Sequence, residues 1–142
     1  MSPRLPYPEM IPGLPAPEIR LPPKEGDLQR QVLAYLALLP GVVAWRVNSG
    51  MCPGSHIRMA PEGTPDIVGY MPDGRFLSIE LKKPGWKPPG EKARSAEKPS
   101  AAVRRDIKQA EFTAAAVAAG CLSFRALSLE EVADRIGKEL KG

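Results

Sequence analysis

The sequence predicts one α/β domain whose elements run α-β-β-β-α-β-α. Three observations carry that reading: apolar residues recur at helical spacing near residues 28–39, short strand-like runs separated by turn residues occupy the middle, and a long alanine-rich stretch parts the third strand from the fourth. A chain of 142 residues with 43% hydrophobic content is the size of a single domain and can bury a core.

Residues 1–23 hold nearly half of the 17 prolines. Proline fixes φ and lacks a backbone donor, so this arm is excluded from helix and interior strand and reads as an extended strap or tail. Its Leu5, Tyr7, Met10, Ile11, Leu14, Ile19 and Leu21 are many for a solvated linker, and they argue for packing along the domain or across a partner subunit. The domain proper is residues 24–142. Its first helix lies in "EGDLQRQVLAYLALLPG", with Leu28, Val32, Tyr35, Leu36 and Leu39 on one stripe and Pro40-Gly41 as the stop. A strand over 42–50, "VVAWRVNSG", decays into the glycine- and proline-rich "MCPGSHIRMAPEG". Strands over 66–70 and 75–82 follow, then a basic, proline-rich loop over 84–105, irregular from Pro84 to about Ser100. "AAVRRDIKQAEFTAAAVAAG" is a helix ending at Gly120, "CLSFRAL" a strand, and "SLEEVADRIGKEL" a helix opened by a Ser128 to Glu131 capping box.

The chemistry concentrates between the second and third strands. "MPDGR" suits a type I turn closed by a left-handed glycine, the three-residue hairpin loop. With Pro72, Asp73 and Gly74 as the loop, Met71 faces Arg75, and the same register carries Asp66 opposite Glu80. Facing Cβ atoms in such a pair lie about 4.5 to 5.5 Å apart. Two carboxylates held there repel unless a cation or a proton separates them. The two-residue period places Ser78, Glu80 and Lys82 on one face and Leu77, Ile79 and Leu81 on the other. A solvent-facing hairpin with Lys82 neutralising one acid is the bland alternative. The fixed register, the "GTPD" bend at Asp66 and the basic stretch that starts right after Lys82 favour a metal-dependent phosphodiester site. Asp66 and Glu80, with the backbone carbonyl of Leu81, would hold a hard cation such as Mg2+, which would activate water and stabilise charge on phosphoryl oxygens. Lys82 would position or help deprotonate that water and attract the scissile phosphate.

The net charge of +4 and pI near 9.2 are mild, but the basic residues are uneven. Lys82, Lys83, Lys87, Lys92, Arg94, Lys98, Arg104, Arg105 and Lys108 face only Glu91, Glu97 and Asp106 over the same span. Such a run suits a polyanion, with Lys83, Lys87, Arg104, Arg105 and Lys108 as candidate DNA contacts; it suits a solvated loop equally. Cys52 and Cys121 have no ligand spacing and read as free thiols in a reducing compartment. With no apolar run near the roughly 20 residues of a membrane span and no signal-like start, the expected setting is cytoplasmic.

These residues resemble the PD-(D/E)xK nuclease superfamily, and within it the VRR-NUC family of virus-type replication-repair nucleases. The matching pieces are "EGDLQ", "WRVNSG", "GTPDIVGY", "IELKKPG" and "KQAEF", which span about residues 25–127 in the family's order. The likeness implies a restriction-endonuclease-like core with a mixed central sheet flanked by helices, and a Mg2+-dependent (or Mn2+-dependent) endodeoxyribonuclease. It adds Glu25 as a metal ligand and Gln109 as a contact to water or phosphate. Small phage members resemble Holliday-junction resolvases, which implies a homodimer on branched DNA in replication, recombination or repair. Rival readings are a restriction-type or nonspecific nuclease, and a DNA-binding module of the same fold that does not cut. Glu25 could equally serve only the positive end of its helix, just outside an N-cap at Asp27. Arg46 and Asn48, on one face of the first strand, could contact DNA or order the next loop. His56 has no partner spacing. The departure from the family is the basic loop over 84–105, which is inserted relative to the family's pattern and whose Trp86 suits either stacking on an unpaired base or anchoring the loop.

Overall fold

A computed structural model describes residues 25–47 and 52–141, without the Glu25 side chain. The proline-rich arm and Asn48 lie outside these residues. The order is α1 (Glu25–Ala37), β1 (Val43–Arg46), β2 (Ile67–Tyr70), β3 (Phe76–Leu81), α2 (Glu91–Arg94), α3 (Ala101–Ala118), β4 (Leu122–Ala126) and α4 (Leu129–Lys141). The chain is a mixed α/β fold with a four-stranded sheet in the order β1-β2-β3-β4. The first three strands form an antiparallel meander, and β4 runs parallel to β3 after the long crossover through α2 and α3.

Local chemistry explains most boundaries. The α1 stripe of Leu28, Val32, Tyr35, Leu36 and Leu39 is buried, and the helix tightens at its end through Leu38 and Leu39 N–H bonds to Tyr35 and Leu36 carbonyls before Pro40. Asp27 lies inside α1, paired with Arg30, and is not the N-cap. The hairpin forms as its turn residues require: Gly74 N–H bonds Met71 O, Met71 N–H bonds Arg75 O, and Gly74 has φ 90°. At the far end of α3, Gly120 at φ 91° lets Gly120 and Cys121 N–H reach the Val117 and Ala116 carbonyls, a Schellman closure. Ser128 Oγ caps Glu131 N–H, while the Glu131 carboxylate returns to Leu127 N–H.

Several expected bounds shift. The strand expected over 42–50 is regular only over Val43–Arg46, β2 begins one residue after Asp66, and β3 is Phe76–Leu81. The basic segment over 84–105 contains a one-turn helix, α2, and its irregular part stops at Ser100, whose hydroxyl caps α3; residues 101–105 are helical. Behind Gly90, "EKAR" is a run of good helix formers, which offsets the prolines before it.

The sheet buries one face against α1 and α4, where Ile67, Leu77, Ile79, Leu81, Leu122, Phe124 and Ala126 join the α1 stripe and Val132, Ala133 and Ile136 in one core. Each of these larger aliphatic side chains contributes about 1.5–3 kcal/mol by leaving water. On the opposite face α3 packs over β4 and reaches β3 through the Gln109–Glu80 bond, while Val43, Trp45, Tyr70 and Phe76 on the rest of that face remain exposed. Gly69 is required where β1 pairs with β2, because a Cβ there would sit 1.9 Å from the Val43 carbonyl oxygen. Among the described residues no helix is long and apolar enough to cross a membrane.

Candidate active site

The β2–β3 register runs from Tyr70 opposite Phe76 to Ile67 opposite Ile79, and one further step brings Asp66 to Glu80. Asp66 is fixed there by its backbone and its side chain. Its carbonyl accepts Val47 N–H at 2.8 Å, and its Oδ2 accepts Leu81 N–H at 2.9 Å. Glu80 lies under α3, only 4% exposed, so the part of the face around it is covered and not solvated. Glu80 Oε1 accepts Gln109 Nε2–H at 2.8 Å and lies 3.6 Å from Lys82 Nζ; Oε2 is buried with no hydrogen-bond partner among the described residues. Burial first, and next the negative charge of Asp66, push the Glu80 carboxyl up to about 8 against the opposing pull of Lys82. Without a cation, burial and Asp66 thus favour the protonated form of the Glu80 carboxyl.

Lys82 and Gln109 complete the cluster. Lys82 Nζ donates to Gln109 Oε1 at 2.6 Å, so the Gln109 amide bridges the ammonium to the Glu80 carboxylate with both of its ends used. The "GTPD" bend sets the height of α3 above the sheet. Gly63 has φ 84°, and a Cβ on it would lie 2.5 Å from the Lys108 carbonyl oxygen, so loop and helix backbones meet one residue before Gln109. Gly63→Ala is expected to cost about 1–3 kcal/mol through the strained φ and the clash. Urea unfolding would measure the loss, and an unchanged midpoint would show that the close approach does not matter.

The remaining candidates are dispersed. Arg104, Arg105 and Lys108 are exposed on α3 and, with Arg58, Glu62, Thr64 and Gln109, line a cleft of about 610 Å3 that opens beside the cluster. Lys83 and Lys87 are exposed on the segment that leaves β3. Arg46 is exposed at the end of β1, and by strand alternation it lies on the face of Ile67, opposite to that of the acids. The Leu81 side chain is in the core and its N–H is engaged by Asp66, so the carbonyl is the backbone group it could offer a cation. His56 is exposed, and Cys52 and Cys121 are free thiols. Trp86 packs against Lys82 and Arg125, a geometry that matches an anchor for the segment that follows β3. The Glu25 side chain and Asn48 lie outside the described residues.

Sequence reasoning did not nominate Arg58, Asp106 or Arg125. Helical spacing was the available signal for Asp106, three residues before Gln109 and on its face. Arg125 had no local signal, because its place beside Glu80 depends on the β3–β4 pairing.

A divalent-cation reading fits in part. Among the described residues no three His, Cys, Asp or Glu side chains gather at one point. Two adjacent carboxylates, one with an unpartnered buried oxygen, still suit Mg2+, which keeps several waters and takes one or two carboxylates plus phosphate oxygens. Comparison of the chain with protein-family models, curated proteins and solved structures returned no match.

Proposed function

We propose that the protein is a Mg2+-dependent endodeoxyribonuclease of PD-(D/E)xK type, similar to the VRR-NUC family, that cuts branched DNA as a homodimer. The observation that carries the reading is the single linked cluster of Asp66, Glu80, Gln109 and Lys82 at the edge of a cleft lined by Arg58, Arg104, Arg105 and Lys108. The meander followed by a crossover to a parallel β4 supports the same fold type. Asp66, Glu80 and the Leu81 carbonyl would hold Mg2+, with Mn2+ as a substitute and Glu25 as a further candidate ligand. When bound, the ion supplies Lewis-acid stabilisation of the charge that grows on the phosphoryl oxygens and makes water a stronger acid. Lys82 attracts the scissile phosphate and orients water, and Gln109 holds Lys82 and Glu80 in fixed relation. The exposed Val43, Trp45, Tyr70 and Phe76 support a second copy as a partner, since clustered apolar residues on a surface mark interaction sites.

Cleavage of a four-way junction, a flap, a duplex and a single strand in Mg2+ tests the reading. Preferential cutting of the junction is expected; equal cutting of all four would remove the branched-DNA preference, and no cutting of any would remove the nuclease. Arg105→Ala and Lys108→Ala, which leave the cluster intact, are expected to weaken DNA binding and each to lower the dependence of log K on log salt by about 1. Binding titrations between low and moderate salt would show it, and an unchanged slope would take the cleft out of the DNA path.

A further inference from the structure

The parallel pairing of β3 and β4 sets Arg125 directly beside Glu80 on the same face of the sheet. A guanidinium so close is the natural partner of a buried carboxylate, and a bidentate pair would occupy the oxygens that a cation needs. Arg125 turns elsewhere. Its Nη1 lies 3.2 Å from Asp106 Oδ1, and its Nη2 donates to the Asp106 carbonyl at 3.0 Å. Glu80 is left to Gln109 and Lys82.

Two groups of the inserted segment brace this arrangement. The Trp86 ring has the Arg125 guanidinium carbon 5.2 Å and Lys82 Nζ 5.1 Å from its centroid, so both cations are drawn to one aromatic ring. Arg94 of α2 lies 3.5 Å from Asp106 Oδ2 and ties the segment to the same buried carboxylate. Asp106 itself is 4% exposed, and its carboxylate meets both arginines as ion pairs, with Oδ1 making no hydrogen bond among the described residues.

We propose that Asp106, braced by Trp86 and Arg94, holds Arg125 away from Glu80 and thereby keeps the Asp66–Glu80 pair open to a divalent cation. Asp106 is a positioning residue, and the inserted segment is a working part of the site. The proposal rests on the metal-site reading above.

Calorimetric titration with Mn2+ alone, on the full chain, tests it in the parent, Asp106→Asn, Arg125→Gln and the double variant, each first shown to be folded by circular dichroism. Asp106→Asn is expected to weaken Mn2+ binding by about tenfold or more, in the range of outer-sphere changes. Arg125→Gln is expected to bind at least as well as the parent, and the double variant to recover. A merely structural pair would instead lower binding in all three. A crystal structure of metal-free Asp106→Asn is expected to show Arg125 on Glu80. Parent-like binding by Asp106→Asn, no recovery in the double variant, or an Arg125 still seated at residue 106 would overturn the proposal. If Asp106→Asn fails to fold, Trp86→Leu takes its place, with a weaker loss in the same direction expected and none overturning the idea. A parent that binds no Mn2+ is a failure of the metal site, and the position of Arg125 in the metal-free variant still decides whether Asp106 restrains it.

Discussion

Asp66→Ala and Lys82→Ala are each expected to lower Mg2+-dependent DNA cleavage by about a thousandfold or more, the scale set by loss of a metal ligand or a charge-stabilising group, while DNA affinity stays within a few-fold of the parent. Lys82 and Asp66 do different work, yet both sit on the pair that would hold the ion. Removing Asp66 halves the carboxylate set and also strips the acceptor from Leu81 N–H, a loss of about 1–3 kcal/mol in stability. Asp66→Asn separates the two effects, because an amide oxygen can still accept that bond. Removing Lys82 takes the ammonium from Gln109 and Glu80 without touching the backbone. Single-turnover cleavage with matched binding assays would read both, and variants that cut as well as the parent would show that the chemistry lies elsewhere.

The stability of the metal-free protein is expected to fall as pH rises from about 5 to about 8, and Mg2+ to reverse the fall. The Glu80 carboxyl moves from 4.5 to about 8 on folding, so the native state binds more protons than the unfolded chain across that window. Stability then declines with rising pH: the contribution is fully present below the unfolded value and is lost as pH passes through the folded one. At about 1.4 kcal/mol for each tenfold gain in proton affinity, the whole effect is on the order of several kcal/mol. A cation between the acids takes the place of the proton, so binding releases it and tightens as pH rises. Urea unfolding at stepped pH, with and without Mg2+, would show the two curves diverging upward in pH. Glu80→Gln, neutral at every pH, should flatten the metal-free curve and remove the Mg2+ response. A parent curve that matches the Glu80→Gln curve would contradict the assignment.

What was legible in the sequence follows the range of the interactions. The Pro72-Asp73-Gly74 turn is decided by four residues, and because a hairpin propagates its register strictly, it placed Asp66 against Glu80 with no knowledge of the rest of the fold. Alternation likewise put Glu80 and Lys82 on one face, but not what would cover it; only α3, arriving from more than twenty residues away, buries Glu80 and supplies Gln109. Gln109 was nominated by likeness to a family and not by its own pattern. Arg46 shows the limit of alternation, which tells which residues share a face but not which face becomes the core. Asp106 and Arg125 were missed because their pairing needs both the α3 docking and the parallel β3–β4 register. The one-turn α2 was hidden by flanking prolines and a charge run that reads as loop.

The central claim is that the Asp66–Glu80 pair is half of a cation shell. Anomalous diffraction from crystals soaked in Mn2+ tests it most directly. A peak between the two carboxylates, within ligand distance of both, is the predicted result; a soaked crystal with no peak at that pair, or with manganese bound only elsewhere, would contradict it.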